Sequence, residues 1–562
     1  MCLLHTLNPI NRDLENYIRS RCKLIDEYEK PSKYFLNLEK AVQKVKHIRC
    51  LVVGEKRISN PAEILNTQAL FYTKLYSAND NISLESLDYD KYLNNINPPV
   101  ISNDHRDQCD QMIQTEEISK AVQDLPNNKS PGPDGIPIEF YKKFWCSISD
   151  ILFDSFKNSF ETGQLSPSQK RGVITLVPKK DKDLTDLKSW RPLSLLNTDY
   201  KILAKLLANR LRPVLSDIIN PDQIGYMKNR FCGENTRLIA DVIDFCNLTS
   251  KPGIVLLADF EKAFDTINWH FLDKALQLFG FGKVFCKWID ILYKDIESCV
   301  TNNGYQSTFF KLFRGIRQGC PISALLFLIP AELIASIIRN SSDVHGFLVN
   351  GKCIKLCQLA DDMTLFLTDT ISVKNSLQLF EEFYRNAGLK LNKNKTEVII
   401  IYNDGSLTRD ESLGIKWVNK PIKTLGAWFS LNQEEMIKLN VNDKVEKIKV
   451  ILNSWSKRNL TLKGKVTVVK SLVLPHFLHL ASVATLSRNL LSNLDKLIFD
   501  FVWNKKQHLV SKNTLIKPVE LGGMKMISIF DFAKTVQIMF IKRLLNQIDA
   551  NWKCLSEYLM GS

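Results

Sequence analysis

The chain has 562 residues, 45% of them hydrophobic, and a formal net charge of +15 at pH 7. That length implies several domains and a sizeable core. The 13 cysteines include no CxxC pair, and the nearest two, Cys353 and Cys357, have no histidine pair beside them, which excludes a zinc knuckle there and fits a reducing, intracellular setting.

Met1–Pro9 lacks the charged start and long apolar core of a signal peptide. Tyr28–Lys40 carries apolar residues at helical spacing and is expected to be an amphipathic helix. Ser77–Leu87, rich in Asn, Asp and Ser, reads as a loop. From Asn127 the texture changes to a stretch fixed by Pro131, Gly132, Pro133 and Gly135, a rigid loop with exposed N–H groups. One helix, Ile138–Phe156, is predicted after it, with Phe140, Tyr141, Phe144 and Trp145. The pair fits either a plain connector or a loop that tracks a nucleic-acid strand.

Gly172–Lys180 is predicted as a strand, followed by a polar loop and Trp190–Ser194. Lys179 and Arg191 then face one another across a hairpin. Together they suit a triphosphate, Arg as a fork and Lys as a point charge; singly, each fits a surface charge. Gly253–Asp259 is a near-continuous apolar run, so a strand buried on both faces, and Asp259 ends it. A carboxylate there needs a reason, and metal binding is one. Phe264 and Asp265 follow.

Gly315–Pro321 is a polar turn that carries Gln318 and Gly319 into an apolar helix, Ile322–Ile338. Gly allows close backbone approach and Gln can bond a sugar or base; a helix cap is the alternative. The longest apolar stretch, Ile322–Ala331, closed by Glu332, is read as too short to span a membrane. Two short apolar runs, Ile354–Leu359 and Met363–Leu367, flank Ala360-Asp361-Asp362. Strand, tight turn and strand are expected, with both acids at the tip. Adjacent acids repel unless a cation lies between them, and a hard, oxygen-ligated ion such as Mg²⁺ is the natural partner. Taken alone, the dipeptide also fits a solvated turn.

A helix over Val373–Asn386 is expected next, then Gly388–Asn392 with Lys395 beyond, then a hairpin over Pro421–Ser430. Leu431 onward reads as helical, with Trp455 and Trp503. It holds 20 Lys plus Arg against 10 Asp plus Glu, which is +10 of the chain's +15. A basic, aromatic-containing tail behind an acidic site suggests a phosphate-backbone partner. If the strands ending at Asp259 and starting at Asp362 are neighbours, three acids converge. Two divalent ions held there suit an in-line phosphoryl displacement, one at a primer 3′-OH and one at a triphosphate.

At these residues the chain resembles reverse transcriptases of LINE-type non-LTR retrotransposons. SPGPDGIPIEFYK, WRPLSLLN with KILAKLLANRL, and PDQIGYMKNR resemble the finger blocks of that family. LADFEKAFDTINW, RGIRQGCPIS, LADD and GLKLNKNKTE resemble its palm blocks in order, and IKTLGAWFS its primer-gripping hairpin. EKPSKYFLNLEK resembles the preceding linker, and SWSKRNLTLKGKVTVVKSLVLPHFLHL the thumb. Leu359 stands where the family most often has Phe and Ala324 where Pro is usual; both changes are apolar and spare the carboxylates.

The resemblance implies an α+β, right-hand polymerase: residues 1–110 as linker and extension, 111–250 as fingers, 251–430 as palm with an antiparallel sheet, and 431–562 as basic helical thumb and C-terminal region. Asp259, Asp361 and Asp362 match the carboxylate triad that holds two Mg²⁺ ions, with Mn²⁺ as the alternative metal. Asp259 and Asp361 are foremost as direct ligands. Lys179 and Arg191 match triphosphate contacts, Phe264 the gate against a 2′-OH, Gln318 and Gly319 the nucleotide floor, and Lys395 a lysine near the departing pyrophosphate. Lys423, Leu425 and Gly426 match the primer grip. The implied partners are an RNA template, a DNA primer and dNTPs, with no membrane. The implied location is the nucleus or a cytoplasmic ribonucleoprotein particle. The residues ahead of the finger loop are too few for the family's endonuclease and no Cys/His knuckle is seen, so nicking is expected from elsewhere. A catalytically silent RNA-binding relic, or a domesticated polymerase, is the alternative.

Overall fold

The computed structural model describes residues 47–77, 89–94, 96–180, 182–484, 486–507, 509–546 and 550–561. The helix expected over Tyr28–Lys40, and the loop after Ser77 as far as Leu87, lie outside them. The described chain is α+β, and its contacts divide it into two units: residues 45–230 with 251–417, and residues 231–250 with 418–562.

The first unit is built on a five-stranded sheet in the order Leu356–Leu359, Asp362–Leu367, Gly253–Ala258, Glu397–Tyr402, Lys416–Val418. The central strand has the expected uninterrupted run, with Ile254, Val255 and Leu256 fully buried. Such runs typify parallel strands, yet both of its partners are antiparallel: Met363 faces Ala258 on one side and Glu397 faces Leu257 on the other. In the second sheet Arg171–Pro178 pairs antiparallel with Trp190–Leu196 and parallel with Glu297–Asn302. Helices Thr198–Ile218, Ser323–Asn340 and Thr370–Ala387 bury their apolar stripes in one continuous core with the first sheet.

Three local readings change. The helix expected over Ile138–Phe156 is two, Ile138–Lys143 and Trp145–Thr162, parted at Phe144, where φ is −102° and ψ 17°. The aromatic junction Phe140-Tyr141 … Phe144-Trp145 is poor in helix formers, because aromatic χ1 freedom is lost against the preceding turn. The strand expected from Ile354 is interrupted at Lys355. That ammonium turns inward to the carbonyls of Arg339 (2.9 Å) and Ser341 (2.6 Å), capping the helix Ser323–Asn340 at its negative end. Leu356–Leu359 then pairs with Asp362–Leu367, and the Lys355 carbonyl still accepts from Phe366 N (2.7 Å).

The third concerns Ile322–Ala331. Glu332 does not end the helix, because its buried carboxylate is received within the unit by Arg339 and by the Asn220 N–H (3.2 Å). Ser323–Asn340 is thus long and apolar enough by length and composition to cross a membrane, as is Leu462–Val483. The first is 78% buried inside its unit, the signature of a core helix.

The second unit joins helix Gly233–Thr249 to the C-terminal helices. Ser556 donates to the buried Asp241 (2.5 Å), and Arg543 pairs with Glu234 (2.6 Å). Its core gathers Ile448, Leu452, Val469, Phe477, Ile498 and Phe501. The hairpin expected over Pro421–Ser430 forms from Ile422–Thr424 and Ala427–Phe429.

Candidate active site

Leu359 pairs with Asp362, so Ala360 and Asp361 form a two-residue turn at the tip of the edge hairpin. Because Met363 faces Ala258, the antiparallel register sets Asp259 abreast of Asp362. The register thus brings the three acids to one end of the sheet, and Asp361 and Asp362 feel their neighbours' charge. The Asp361 carboxyl is raised by burial and then by the Asp259 charge, while Arg191 opposes the rise. Asp362, although the residue stays solvent-exposed, is pushed up to about 6 by partial desolvation and by the like charges of Asp361 and Asp259.

Ala360 holds φ at 59°, a left-handed value an alanine adopts only under constraint. The constraint is Gln223, which is fully buried. Its Oε1 accepts from the N–H groups of Ala360 (2.9 Å) and Gly225 (2.8 Å), and its Nε2 donates to the Ala360 carbonyl (3.2 Å) and Gln358 Oε1 (3.3 Å). Backbone bonds from Gln358 N to Asp222 O and from Ile224 N to Gln358 O, both 2.9 Å, bind the same segment along the hairpin edge. Gly225 must be glycine, since a Cβ there would meet the Ala360 nitrogen at 2.3 Å. Sequence reasoning quoted this stretch only as part of a block and named none of its residues for the site. Tyr226 was missed as well. It is half-exposed, its ring stands edge-on to Phe264 (6.4 Å), and its hydroxyl is raised by burial and by the Asp361 charge.

The cations also assemble. Arg191 faces Val177 across the hairpin, and the Lys179 N–H donates to Ser189 O (2.8 Å). The Lys179 ammonium is lowered by burial and then by Lys395 and Arg191, against the pull of Asp259 and Asp265. Lys395 lies 3.4 Å from Asp259, an exposed pair set by the backbone bond from Asn392 N to Asp259 O (2.7 Å). Lys395 thus lies against the acidic cluster, while the Lys179 ammonium donates to Lys188 O (2.9 Å), and Arg191 and Lys179 bear on the acids through their charge. Phe264 is half-buried and stacks on Phe327 of the core helix (4.5 Å, 13°). Gln318 is fixed from two sides: its carbonyl accepts from Ser194 N (2.8 Å), and its amide donates to both oxygens of Asp265 (3.1 Å each). Gly319 lies exposed against the Ser194 carbonyl.

Lys423, Leu425 and Gly426 belong to the other unit. Leu425 (φ 51°) and Gly426 (φ 75°) make the hairpin turn. His479 Nε2 donates to Leu425 O (2.9 Å) and Lys444 to Gly426 O (2.6 Å), while the buried Asn440 bonds both backbone groups of Trp428. Lys423 is paired with Asp443 (2.9 Å) and lies over the Trp428 ring.

Among the described residues no three His, Cys, Asp or Glu side chains are drawn close enough to cage an ion by themselves. The donors at the hairpin are nonetheless all hard carboxylate oxygens on one open side. Such a set takes a divalent ion whose shell is completed by phosphate oxygens and water, so it fits Mg²⁺ in kind.

Residues 177–429 match the family model described as reverse transcriptase (RNA-dependent DNA polymerase). The chain is 29% identical over 540 residues to the 149 kDa protein of transposon TX1 from Xenopus laevis, covering 94% of this chain and 40% of that protein. It is 24% identical over 296 residues to the Pol polyprotein of retrotransposable element R2 from Popillia japonica, covering 52% of this chain and 40% of that one. It is 22% identical over 387 residues to the RNA-directed DNA polymerase of mobile element jockey from Drosophila melanogaster, covering 65% of this chain and 40% of that one. The chain thus spans less than half the length of these relatives.

Proposed function

We propose that the chain, whose residues 177–429 match the reverse transcriptase model and which is similar to non-LTR retrotransposon proteins, is an RNA-directed DNA polymerase of that LINE-type kind that copies retrotransposon RNA into cDNA by transferring dNTPs onto a primer 3′-OH. The observation that supports this reading is the strand register that sets Asp259 and the Asp361-Asp362 turn at one end of adjacent antiparallel strands, with Lys395 3.4 Å from Asp259. In the proposed right-hand polymerase, residues 111–250 act as fingers, 251–430 as palm and 431–562 as thumb and C-terminal region, behind the extension 1–110. Its work is intracellular, in the nucleus or a ribonucleoprotein particle.

The three aspartates would hold the divalent ions, Mg²⁺ or Mn²⁺. When bound, these lower the pKa of the primer hydroxyl and neutralise triphosphate charge. Lys179 and Arg191 bind the triphosphate, and Lys395 meets the departing pyrophosphate. Gln318 and Gly319 form the nucleotide floor. Lys423, with the Leu425-Gly426 turn, grips the primer. Phe264, backed by Phe327, excludes a ribose 2′-OH.

The deciding experiment is extension of oligo(dT) on poly(rA) with Mg²⁺, comparing the chain with Asp361→Ala/Asp362→Ala. Synthesis by the first alone supports the reading. RNA binding without synthesis by either favours a silent relic.

Two substitutions test single roles. Arg191→Ala removes a guanidinium whose charge acts on Lys179 and Asp361, so the dNTP KM should rise about tenfold while primer–template affinity moves little. The reverse pattern would assign Arg191 to the template path. Phe264→Val opens the space beside Tyr226, and selection of dTTP over UTP should fall by about 10-fold or more. Unchanged selection removes the gate from Phe264.

A further inference from the structure

The helix Pro61–Tyr76, far from the polymerase blocks in sequence, reaches the nucleotide side of the site. Asn60 caps it by accepting from Ala62 N and Glu63 N, and Ile64, Gln68, Tyr72 and Tyr76 form its buried stripe, four residues apart. The stripe packs on the turn after the central strand, where the buried Lys262 ammonium lies over the rings of Phe71 (4.4 Å) and Tyr72 (5.3 Å). The last turn is pinned by Phe313 N to Tyr76 O and by Arg314 Nε to Leu75 O, both 2.9 Å. Beyond these contacts the Tyr76 hydroxyl donates to Asp265 Oδ1 at 2.8 Å.

Asp265 is 1% exposed and takes the amide of Gln318 on its two oxygens. An ionised carboxylate only accepts, so the Gln318 –NH₂ must face it and Oε1 must turn away. The amide has one orientation for as long as Asp265 stays ionised. Burial pushes that carboxyl up to about 6, opposed by Lys262, by the Tyr76 and Gln318 hydrogen bonds and by Lys179, with the Tyr72 phenol also facing it. A protonated Asp265 gains an O–H that can donate to Gln318 Oε1, which would turn the amide over.

We propose that Tyr76 is a positioning residue for the incoming nucleotide: through Asp265 it fixes the Gln318 amide so that Oε1 accepts from a hydroxyl or amino group of the dNTP. The inference rests on the proposed polymerase function and gives the N-terminal helix a part in substrate selection. It also separates Tyr76 from Tyr72 on the same buried stripe, whose hydroxyl has no hydrogen-bond partner among the described residues.

The test uses the full chain on poly(rA) with a dideoxy-terminated oligo(dT), reading dTTP-dependent formation of the ternary complex, which needs no bond-making. Tyr76→Phe should weaken dTTP binding about tenfold, the worth of one hydrogen bond to a charged group. In extension assays KM should rise more than kcat falls. Tyr72→Phe, which deletes the same atom from the same helix, should leave dTTP affinity within about twofold. In a Gln318→Ala background Tyr76→Phe should add less than about twofold, since the path to the nucleotide is already cut. Equal dTTP affinity for Tyr76→Phe and the unaltered chain overturns the inference alone, as does a full tenfold effect in the Gln318→Ala background. Failure of the unaltered chain to form any dTTP-dependent complex overturns the polymerase reading and this inference with it.

Discussion

Asp361→Asn is expected to lower primer extension by at least about 10³-fold, the scale seen when charge stabilisation is removed from a reacting centre, and at the same time to raise the Tm. The two effects share one cause. Asp361 and Asp362 adjoin Asp259 at the tip of a hairpin and the edge of the central strand, and both carboxyls are raised. A carboxyl raised in the folded state is harder to ionise there than in the unfolded chain. Its charge therefore opposes folding at neutral pH, and the penalty fades as pH falls from about 6 toward the ordinary carboxylate value. Removing one charge relieves its neighbours. Discounted for solvent screening at this open cleft, the gain is small, a rise in Tm of about 1–2 °C at pH 7.5. The difference should narrow as pH falls through about 6, where Asp362 takes up its proton. Saturating Mg²⁺ should stabilise the unaltered chain more than the variant, because binding to the folded state alone shifts the equilibrium. Full activity in Asp361→Asn would remove it from the metal site. A lower Tm at neutral pH would mean that Arg191 outweighs the repulsion.

The elements around this cluster were legible because each depends on a pattern within a few residues. The apolar run Gly253–Ala258 marks a buried strand, and two apolar runs around Ala360-Asp361 mark a hairpin whose register follows from its short turn. Their adjacency was a condition that the sequence left open, and the register satisfies it. What stayed hidden lies in contacts between distant segments. Tyr76 meets Asp265 across 189 positions, Gln223 meets Ala360 across 137, and Ser556 meets Asp241 across 315. Periodicity does not report on a polar side chain that serves another segment's backbone. Glu332 misled for the same reason. An acid within an apolar run reads as a stop until Arg339, seven residues on, is seen to receive it. Lys355 falls inside a run read as strand, yet its ammonium caps a helix.

Gln223→Leu is expected to lower kcat about 10²-fold with dNTP KM and primer–template affinity little changed, although residue 223 touches neither the metal position nor the nucleotide. Ala360 at φ 59° costs about 1–2 kcal/mol relative to ordinary backbone. The turn keeps that shape because Gln223 satisfies both its N–H and its carbonyl from a fully buried position. Leucine fills similar volume but leaves the Ala360 N–H and C=O and the Gly225 N–H unpaired in the interior, at about 1–3 kcal/mol each. The turn can recover hydrogen bonds only by moving, and Asp361 moves with it. A displacement near 1 Å at a reacting centre is enough for a 10²-fold loss. Gln358→Leu makes a useful contrast, since it breaks the outer link to Gln223 but leaves both Ala360 bonds, and it should lose less activity. Both variants should be compared well below their Tm, in single-turnover extension with primer–template binding measured alongside. If Gln223→Leu extends within about threefold of the unaltered chain, the carboxylate turn holds its shape without the glutamine, and the backbone bonds of Asp222 and Ile224 to Gln358 alone suffice.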